Sequence, residues 1–206
     1  MGDFMTSDIL ISIIIGYFLG SIPFGYLLTK MSGGGDIRNI GSGNIGATNV
    51  LRTGRKSLAL ATLILDAGKG AFSIFIVGLL LADAYIWLVG LSAVLGHCFP
   101  IWLKLKGGKG VATGLAVIAA LSPISGITFI ITWLIMASLS RYSSLAALSG
   151  FTTSLVSASI FASSDITIAI LGISLLSFIR HRENIIRLFT GSESKISFSP
   201  SLRKEN

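Results

Sequence analysis

From Gly110 to Ser140 the chain runs for about 31 residues without a charged side chain. A water-soluble helix of that length needs a strongly polar face toward solvent, and this stretch does not supply one. Comparable runs recur from Ile9 to Thr29, Ser57 to Ala82, Ala84 to Leu103, Ser144 to Ser163 and Ile166 to Ile179. Most are near the roughly 20 residues that cross a 30 Å hydrocarbon layer at 1.5 Å per residue. Overall the chain is 52% apolar and 12% charged, where a soluble domain carries about 25% charge. Too few charges remain to coat a soluble fold. The abundance of Ile and Leu excludes disorder, and the 24 glycines follow no three-residue period of the collagen kind. Only helices and closed barrels satisfy their backbone groups in lipid. Runs of this length predict helices, and so an all-α integral membrane protein forming one transmembrane domain over residues 1–206.

The location of the charges orients the chain. The formal net charge is +7, yet no zinc-finger spacing or soluble helix-turn-helix pattern accompanies it, so nucleic acid is not an expected partner. Asp3 and Asp8 precede the first run with no Lys or Arg, so that run does not read as a cleaved signal. The uncharged 110–140 stretch is one long span or two short ones meeting at Ser122-Pro123. Taken as two, with the amino end outside, it puts fifteen of the 16 basic residues on the inner side. These are Lys30, Arg38, Arg52, Arg55, Lys56, Lys104, Lys106, Lys109, Arg141, Arg180, Arg182, Arg187, Lys195, Arg203 and Lys204. The outer side then holds Asp3, Asp8, Asp83 and Asp165 and no basic residue, in accord with the positive-inside rule. A single span would invert everything after Arg141. The expectation is therefore seven transmembrane helices, amino end extracytoplasmic and carboxyl end cytoplasmic. The spans are 9–29, 57–82, 84–103, 110–122, 123–140, 144–163 and 166–179, the fourth being short.

Three conspicuous segments fall on the inner face in that topology. The first contains Gly41-Ser42-Gly43-Asn44-Ile45-Gly46-Ala47-Thr48-Asn49, followed by Arg52. Glycines at this density let successive backbone N–H groups form a phosphate-holding nest, and Arg52 adds a planar fork. The same glycines also suit a plain polar connector. The second contains Gly96-His97-Cys98-Phe99-Pro100 and then Gly107-Gly108-Lys109-Gly110-Val111-Ala112-Thr113. Lys109 stands where a helix begins, a place that favours anions over cations. A bound phosphate resolves that conflict; a membrane anchor explains the charge but not the glycines. His97 reads either as an acid, base or donor, or as a packed hydrogen-bonded residue. The third contains Arg180-His181-Arg182-Glu183-Asn184-Ile185-Ile186-Arg187. His181 and Asn184, three apart, share a helix face that Arg187 continues. That face offers a base and an orienting amide, or is an interfacial amphipathic helix. The segment beyond Gly191 is polar and expected to fray.

Asp66 and Lys69 lie three apart inside the second run, where charge is expensive and is usually paired or functional. They read as a pair bracing the site, or as direct contacts to a polar substrate. Ser143 and Ser144 read as helix caps or as hydroxyls reaching the site. The lone Cys98 forms no disulfide within the chain, and neither a His-Glu-x-x-His pattern nor a carboxylate cluster points to a metal. No cofactor is expected.

Together these segments resemble the signature regions of the bacterial acyl-phosphate:glycerol-3-phosphate acyltransferase family of the PlsY type. The likeness rests on Gly-Ser-Gly-Asn-Ile-Gly-Ala-Thr-Asn, Gly-Gly-Lys-Gly-Val-Ala-Thr and Arg-His-Arg-Glu-Asn-Ile in the same order, and spans residues 9 to 194. It implies transfer of a fatty acyl group from acyl phosphate to the first hydroxyl of glycerol 3-phosphate, giving lysophosphatidate and inorganic phosphate. It also implies a multi-pass location in the bacterial inner membrane with a cytoplasmic-face site, so fatty acyl phosphate, glycerol 3-phosphate and membrane lipid are the expected partners. A monomer is expected. The residues that match the family pattern give His181, Asn184, Lys109 and Ser144 as catalytic, with Ser143 the alternative to Ser144. Phosphate binding falls to Gly41, Ser42, Gly43, Asn44, Gly46, Thr48, Arg52, Gly107, Gly108, Lys109, Gly110 and Thr113. His97, Asp66, Lys69 and Arg187 support them. A transporter of a phosphorylated molecule is the rival class, and signature segments confined to one face count against it.

Overall fold

Pro23 decides the shape of the first apolar run. Its ring blocks a continuous helix and its nitrogen cannot donate, so the run divides into α1 (Gly2–Gly20) and α2 (Phe24–Met31). The computed structural model describes residues 2–81 and 86–196, with side chains from residue 7 onward. The side chains of Asp3, Asp83, Arg203 and Lys204, and the junction of the second and third predicted spans, lie outside that range. Beyond α2 come a short α3 (Ala47–Leu51), α4 (Lys56–Leu80), α5 (Ile86–Cys98), α6 (Val111–Leu121) and α7 (Pro123–Ser140). The chain continues through α8 (Ser143–Phe161), α9 (Ser164–Arg180) and α10 (Arg182–Phe189). Among the described residues there is no strand.

Among the described residues, five stretches are long and apolar enough to cross a membrane: Ser7–Met31, Lys56–Leu80, Ile86–Leu103, Pro123–Ser140 and Ser143–Phe161. The pair α9 and α10, bent by 60°, makes a sixth if taken as one span. The 110–140 stretch is two helices. Ser122 caps α7 by accepting from the Ser125 N–H at 3.4 Å, and Pro123 occupies the first turn, where its missing donor costs nothing. α6 and α7 then fold back until Gly126 lies against the backbone of Ala119. α6 has 11 residues, about half a full crossing.

Small residues set the closest helix contacts. A Cβ at Gly16 or Gly20 of α1 would overlap the carbonyl of Val89 or Ala93 on α5, and one at Gly96 would overlap the Tyr17 carbonyl. Lipid provides little hydrophobic drive between helices, so such close backbone packing supplies the attraction. The central core gathers Val89, Val117, Phe129, Phe151, Ile170 and Ile173. A second cluster of Ile37, Ile45, Val50 and Leu103 sits beneath the glycine-rich segment after α2. Outward faces carry Ile14, Phe18, Ile64, Phe75, Ile127, Leu134 and Leu175, all exposed, as a lipid-facing surface requires.

Asp66 and Lys69 form a buried ion pair with the ammonium 2.8 Å from the carboxylate. Lys69 also donates to the Ile22 carbonyl at 2.7 Å, at the very break that Pro23 imposes. The kink therefore supplies an acceptor that the buried ammonium needs. Gly20→Val should drive a branched side chain into the Ala93 backbone and cost about 1–3 kcal/mol or more. Thermal unfolding in detergent checks this: a midpoint several degrees below wild type is expected.

Candidate active site

The three polar segments converge on one cavity of about 250 Å3. From the first segment Ser42, Asn44, Gly46, Thr48 and Arg52 line it, and from the second His97 and Lys109. Ser143 and Ser144 at the start of α8, His181 and Asn184 at the α9–α10 bend, and Asp66 of α4 also belong to the polar part. Leu63, Val111, Leu115, Phe129 and Trp133 form an apolar extension among the helices.

Asn49 builds the first wall from within. Its amide nitrogen donates to the carbonyls of Ile40 and Asn44, both at 2.8 Å, and of Ile37 at 3.2 Å. Its oxygen accepts from the Ser42 N–H at 3.0 Å. Gly41, at φ +57°, leaves room for that oxygen, which a Cβ would strike. The Gly43 N–H bonds the Ile40 carbonyl at 3.0 Å. Gly41 and Gly43 thus shape the loop, and neither lies on the main cavity wall. Thr48 reaches Ser143 at 3.4 Å, tying this loop to α8.

In the second wall the predicted glycine nest is turned inward. The N–H groups of Gly107 and Gly108 bond back to the carbonyls of Cys98 at 3.1 Å and His97 at 3.0 Å, rather than facing the cavity. The glycines are needed because a Cβ at either would collide with His97. Gly110, at φ +77°, turns the chain into α6. Thr113 is also placed differently from expectation: it is fully buried and donates to the Asp66 carbonyl at 2.7 Å, bracing α6 on α4. Asp66 and His97 approach to 3.7 Å beneath the cavity. Lys69 stands behind Asp66, off the cavity wall.

The third wall holds a feature that the sequence analysis missed. Glu193 lies in the tail expected to fray, yet it is buried and lines the cavity. One carboxylate oxygen accepts from Ser144 Oγ at 2.7 Å and from Asn184 Nδ2 at 2.7 Å. The other accepts from Arg187 Nε at 2.7 Å. Because Asn184 gives its nitrogen to Glu193, its oxygen faces Lys109, whose ammonium it accepts. Arg187, off the cavity wall, acts by holding Glu193. The Ile196 N–H bonds the Arg141 carbonyl at 2.7 Å and Arg52 reaches Ser194, so the tail is fastened on both flanks. The clue in the sequence was one carboxylate two residues after Gly191, amid a strongly basic region. The α9–α10 bend falls at His181, so His181 lines the cavity from the bend and Asn184 from the first turn of α10.

Burial pushes the Lys109 ammonium down to about 8; Glu193 opposes this, while the charges of Arg187 and Arg52 add to it. Burial and the Lys109 charge push His181 down to about 4, with the Ser177 carbonyl opposing. Burial alone would raise Glu193, but hydrogen bonds from Asn184, Ser144 and Arg187 outweigh it and hold the carboxyl below its usual range. The His181 Nδ1 lies 2.8 Å from the Ser177 carbonyl, which can only accept. The neutral ring therefore carries its proton on Nδ1 and leaves Nε2 as an acceptor. A desolvated lysine, an arginine, hydroxyls and a neutral imidazole beside an apolar channel suit a phosphorylated amphiphile.

These features define an all-helical protein with a polar, cationic cavity where several helices end or begin. The family profile described as glycerol-3-phosphate acyltransferase matches residues 10–191. A glycerol-3-phosphate acyltransferase of Mesorhizobium japonicum is 50% identical over 192 residues, covering 93% of this chain and 98% of the relative. One from Gluconobacter oxydans is 46% identical over 99% of this chain and 100% of the relative. The crystal structure of PlsY (YgiH), an integral membrane glycerol 3-phosphate acyltransferase in its glycerol 3-phosphate form, superposes with a TM-score of 0.86. It is 37% identical and the match covers 92% of this chain and 96% of that one. The lysophosphatidic acid form gives 0.83 at 36% identity, covering 91% and 94%. The chain belongs to the glycerol-3-phosphate acyltransferase family, as an integral membrane protein of the PlsY type.

Glu193→Ala leaves Ser144, Asn184 and Arg187 without their shared acceptor. A loss of about 2–3 kcal/mol is expected, read as a lower unfolding midpoint in detergent. Ser192→Ala, which removes an exposed hydroxyl and its 2.8 Å hydrogen bond with Thr190 Oγ1, should stay within about 0.5 kcal/mol of wild type.

Proposed function

We propose that this chain transfers a fatty acyl group from acyl phosphate to the sn-1 hydroxyl of glycerol 3-phosphate, releasing lysophosphatidate and inorganic phosphate. The observation that carries this reading is a single cavity that is cationic and hydroxyl-rich at one end and apolar at the other. The apolar extension suits an acyl chain, and Lys109 and Arg52 suit the phosphates. The positive-inside pattern supports seven spans with the amino end outside and the site at the cytoplasmic face of the bacterial inner membrane. In that arrangement the short α6 enters the bilayer as the fourth span. The lining of the cavity comes from one copy of the chain, which supports a monomer.

The glycerol hydroxyl oxygen attacks the acyl carbonyl carbon, and the bond from that carbon to the phosphate oxygen breaks. Acyl phosphate is a mixed anhydride with a good leaving group, so no covalent enzyme intermediate is required. Lys109 and Arg52 offset the repulsion between two dianions and stabilise the charge that leaves. Ser42, Asn44, Thr48 and the backbone at Gly46 add neutral contacts to the phosphates. Ser144 and Asn184, held by Glu193, orient the acceptor. Nε2 of His181 accepts a hydrogen bond from the neighbouring second hydroxyl of glycerol 3-phosphate and so positions the acceptor, leaving the proton of the attacking hydroxyl directed at the donor's phosphate. With His181 depressed to about 4, the phosphate, with a second ionisation near 6, is the stronger base and takes the proton. Asp66, Lys69, Thr113 and His97 brace the floor, while Gly41, Gly43, Gly107, Gly108 and Gly110 give the loops their shape.

Purified protein given palmitoyl phosphate and glycerol 3-phosphate should release phosphate only when both are present. Absence of release while glycerol 3-phosphate crosses liposome walls would instead mean transport. Lys109→Ala should lower kcat/KM by about 10²–10³-fold, and full turnover by that variant would remove Lys109 from the mechanism. The charged lysine is the active form, so as pH rises through about 8 kcat/KM of wild type should fall. Lys109→Arg should move that alkaline limb upward, because a guanidinium stays charged.

A further inference from the structure

Arg180 ends α9 beside the second cavity wall. Its Nε donates to the Gly108 carbonyl at 3.0 Å and its Nη2 to the Gly107 carbonyl at 2.8 Å. Its guanidinium lies over the Phe99 ring, 5.3 Å from the centroid. One turn earlier, Ser177 Oγ donates to the Lys109 carbonyl at 3.2 Å. Three successive carbonyls of the loop are thus held from α9, while its Gly107 and Gly108 N–H groups are held by the end of α5.

An arginine serving only as a membrane anchor would spend its donors on water and headgroups. Here two of the five go to adjacent backbone carbonyls, a geometry that a planar fork matches and an ammonium does not. The loop needs such a restraint. Contact with His97 admits only glycine at 107 and 108, and two consecutive glycines lose more conformational freedom on ordering than any other pair. Lys109 follows them directly, so slack in the pair becomes displacement of its ammonium.

We infer that Arg180 is a positioning residue: by clamping the Gly107 and Gly108 carbonyls it delivers the Lys109 ammonium to Asn184 and the polar end of the cavity. Its consequence for turnover rests on the function proposed above; its consequence for the posture of Lys109 does not.

The test uses the full chain in detergent with Arg180→Gln and Arg180→Lys. The pH dependence of Lys109 labelling by an amine-reactive reagent, mapped by mass spectrometry, reads the posture of the ammonium. Wild type should show a midpoint near 8, the value to which burial holds Lys109. Both variants should move it up by about one unit or more toward the 10.5 of a hydrated lysine. Turnover should fall about 10²-fold, the scale set by a misplacement of about 1 Å. An unchanged labelling midpoint in Arg180→Gln, or wild-type labelling and turnover in Arg180→Lys, overturns the proposal. Should Arg180→Gln fail to fold, Ser177→Ala removes the hydroxyl bond to the Lys109 carbonyl and should give a smaller shift in the same direction; no shift there overturns it too. A wild-type protein without acyl transfer removes the proposed function, while the labelling midpoints still decide the clamp.

Discussion

A lysine ammonium at the mouth of a helix, largely withdrawn from water, is disfavoured twice, by desolvation and by the positive end of the helix dipole. Lys109 occupies that position ahead of α6, and much of the surrounding structure compensates for it. The Asn184 oxygen accepts a hydrogen bond from its ammonium because Glu193 takes the nitrogen side of the amide. Glu193 in turn stays ionised because Ser144 and Arg187 also donate to it. Removing one member leaves the next as an unsatisfied polar group in a place of low dielectric, where that is most costly. A bound phosphate would enter a site already balanced for negative charge.

A similar compensation operates deeper among the helices. Pro23 stops α1 and leaves the Ile22 carbonyl as an acceptor for Lys69, which also pairs with Asp66. Asp66 reaches His97 on one side, and its backbone carbonyl receives Thr113 on the other. The break in one helix, the ion pair in another and the register of α6 on α4 are therefore one arrangement. It lies under the cavity, which links the stability of the helix bundle to the geometry of the site. Charged residues in apolar spans thus have an architectural role here, Asp66 on the cavity wall and Lys69 behind it.

The two glycine-rich segments show how far residue type alone can be taken. The first read as a nest of free N–H groups and the second as an anion site at a helix start. In the first, Gly41 serves the Asn49 side chain that organises the loop. In the second, Gly107 and Gly108 exist to let the chain lie on His97, and their N–H groups are spent inside the protein. Glycine density signalled close backbone approach correctly in each case, but what was approached is protein. Glu193 and Arg180 were assigned no role for the converse reason. A carboxylate in a polar tail and an arginine at the end of a span are ordinary in sequence, and only their partners, dozens of residues away or across a bend, make them distinctive.

The apolar runs, the break at Ser122-Pro123 and many of the residues that line the cavity were readable from the chain alone. Each depends on hydropathy or on local backbone chemistry, which accumulate along neighbouring residues. Tertiary structure alone decided which donors meet which acceptors: Asn184 between Lys109 and Glu193, Thr113 turned to Asp66, Arg180 on the two glycine carbonyls. Hydrogen bonds act over about 3 Å, and the packing of distant helices, not adjacency in sequence, brings groups that close.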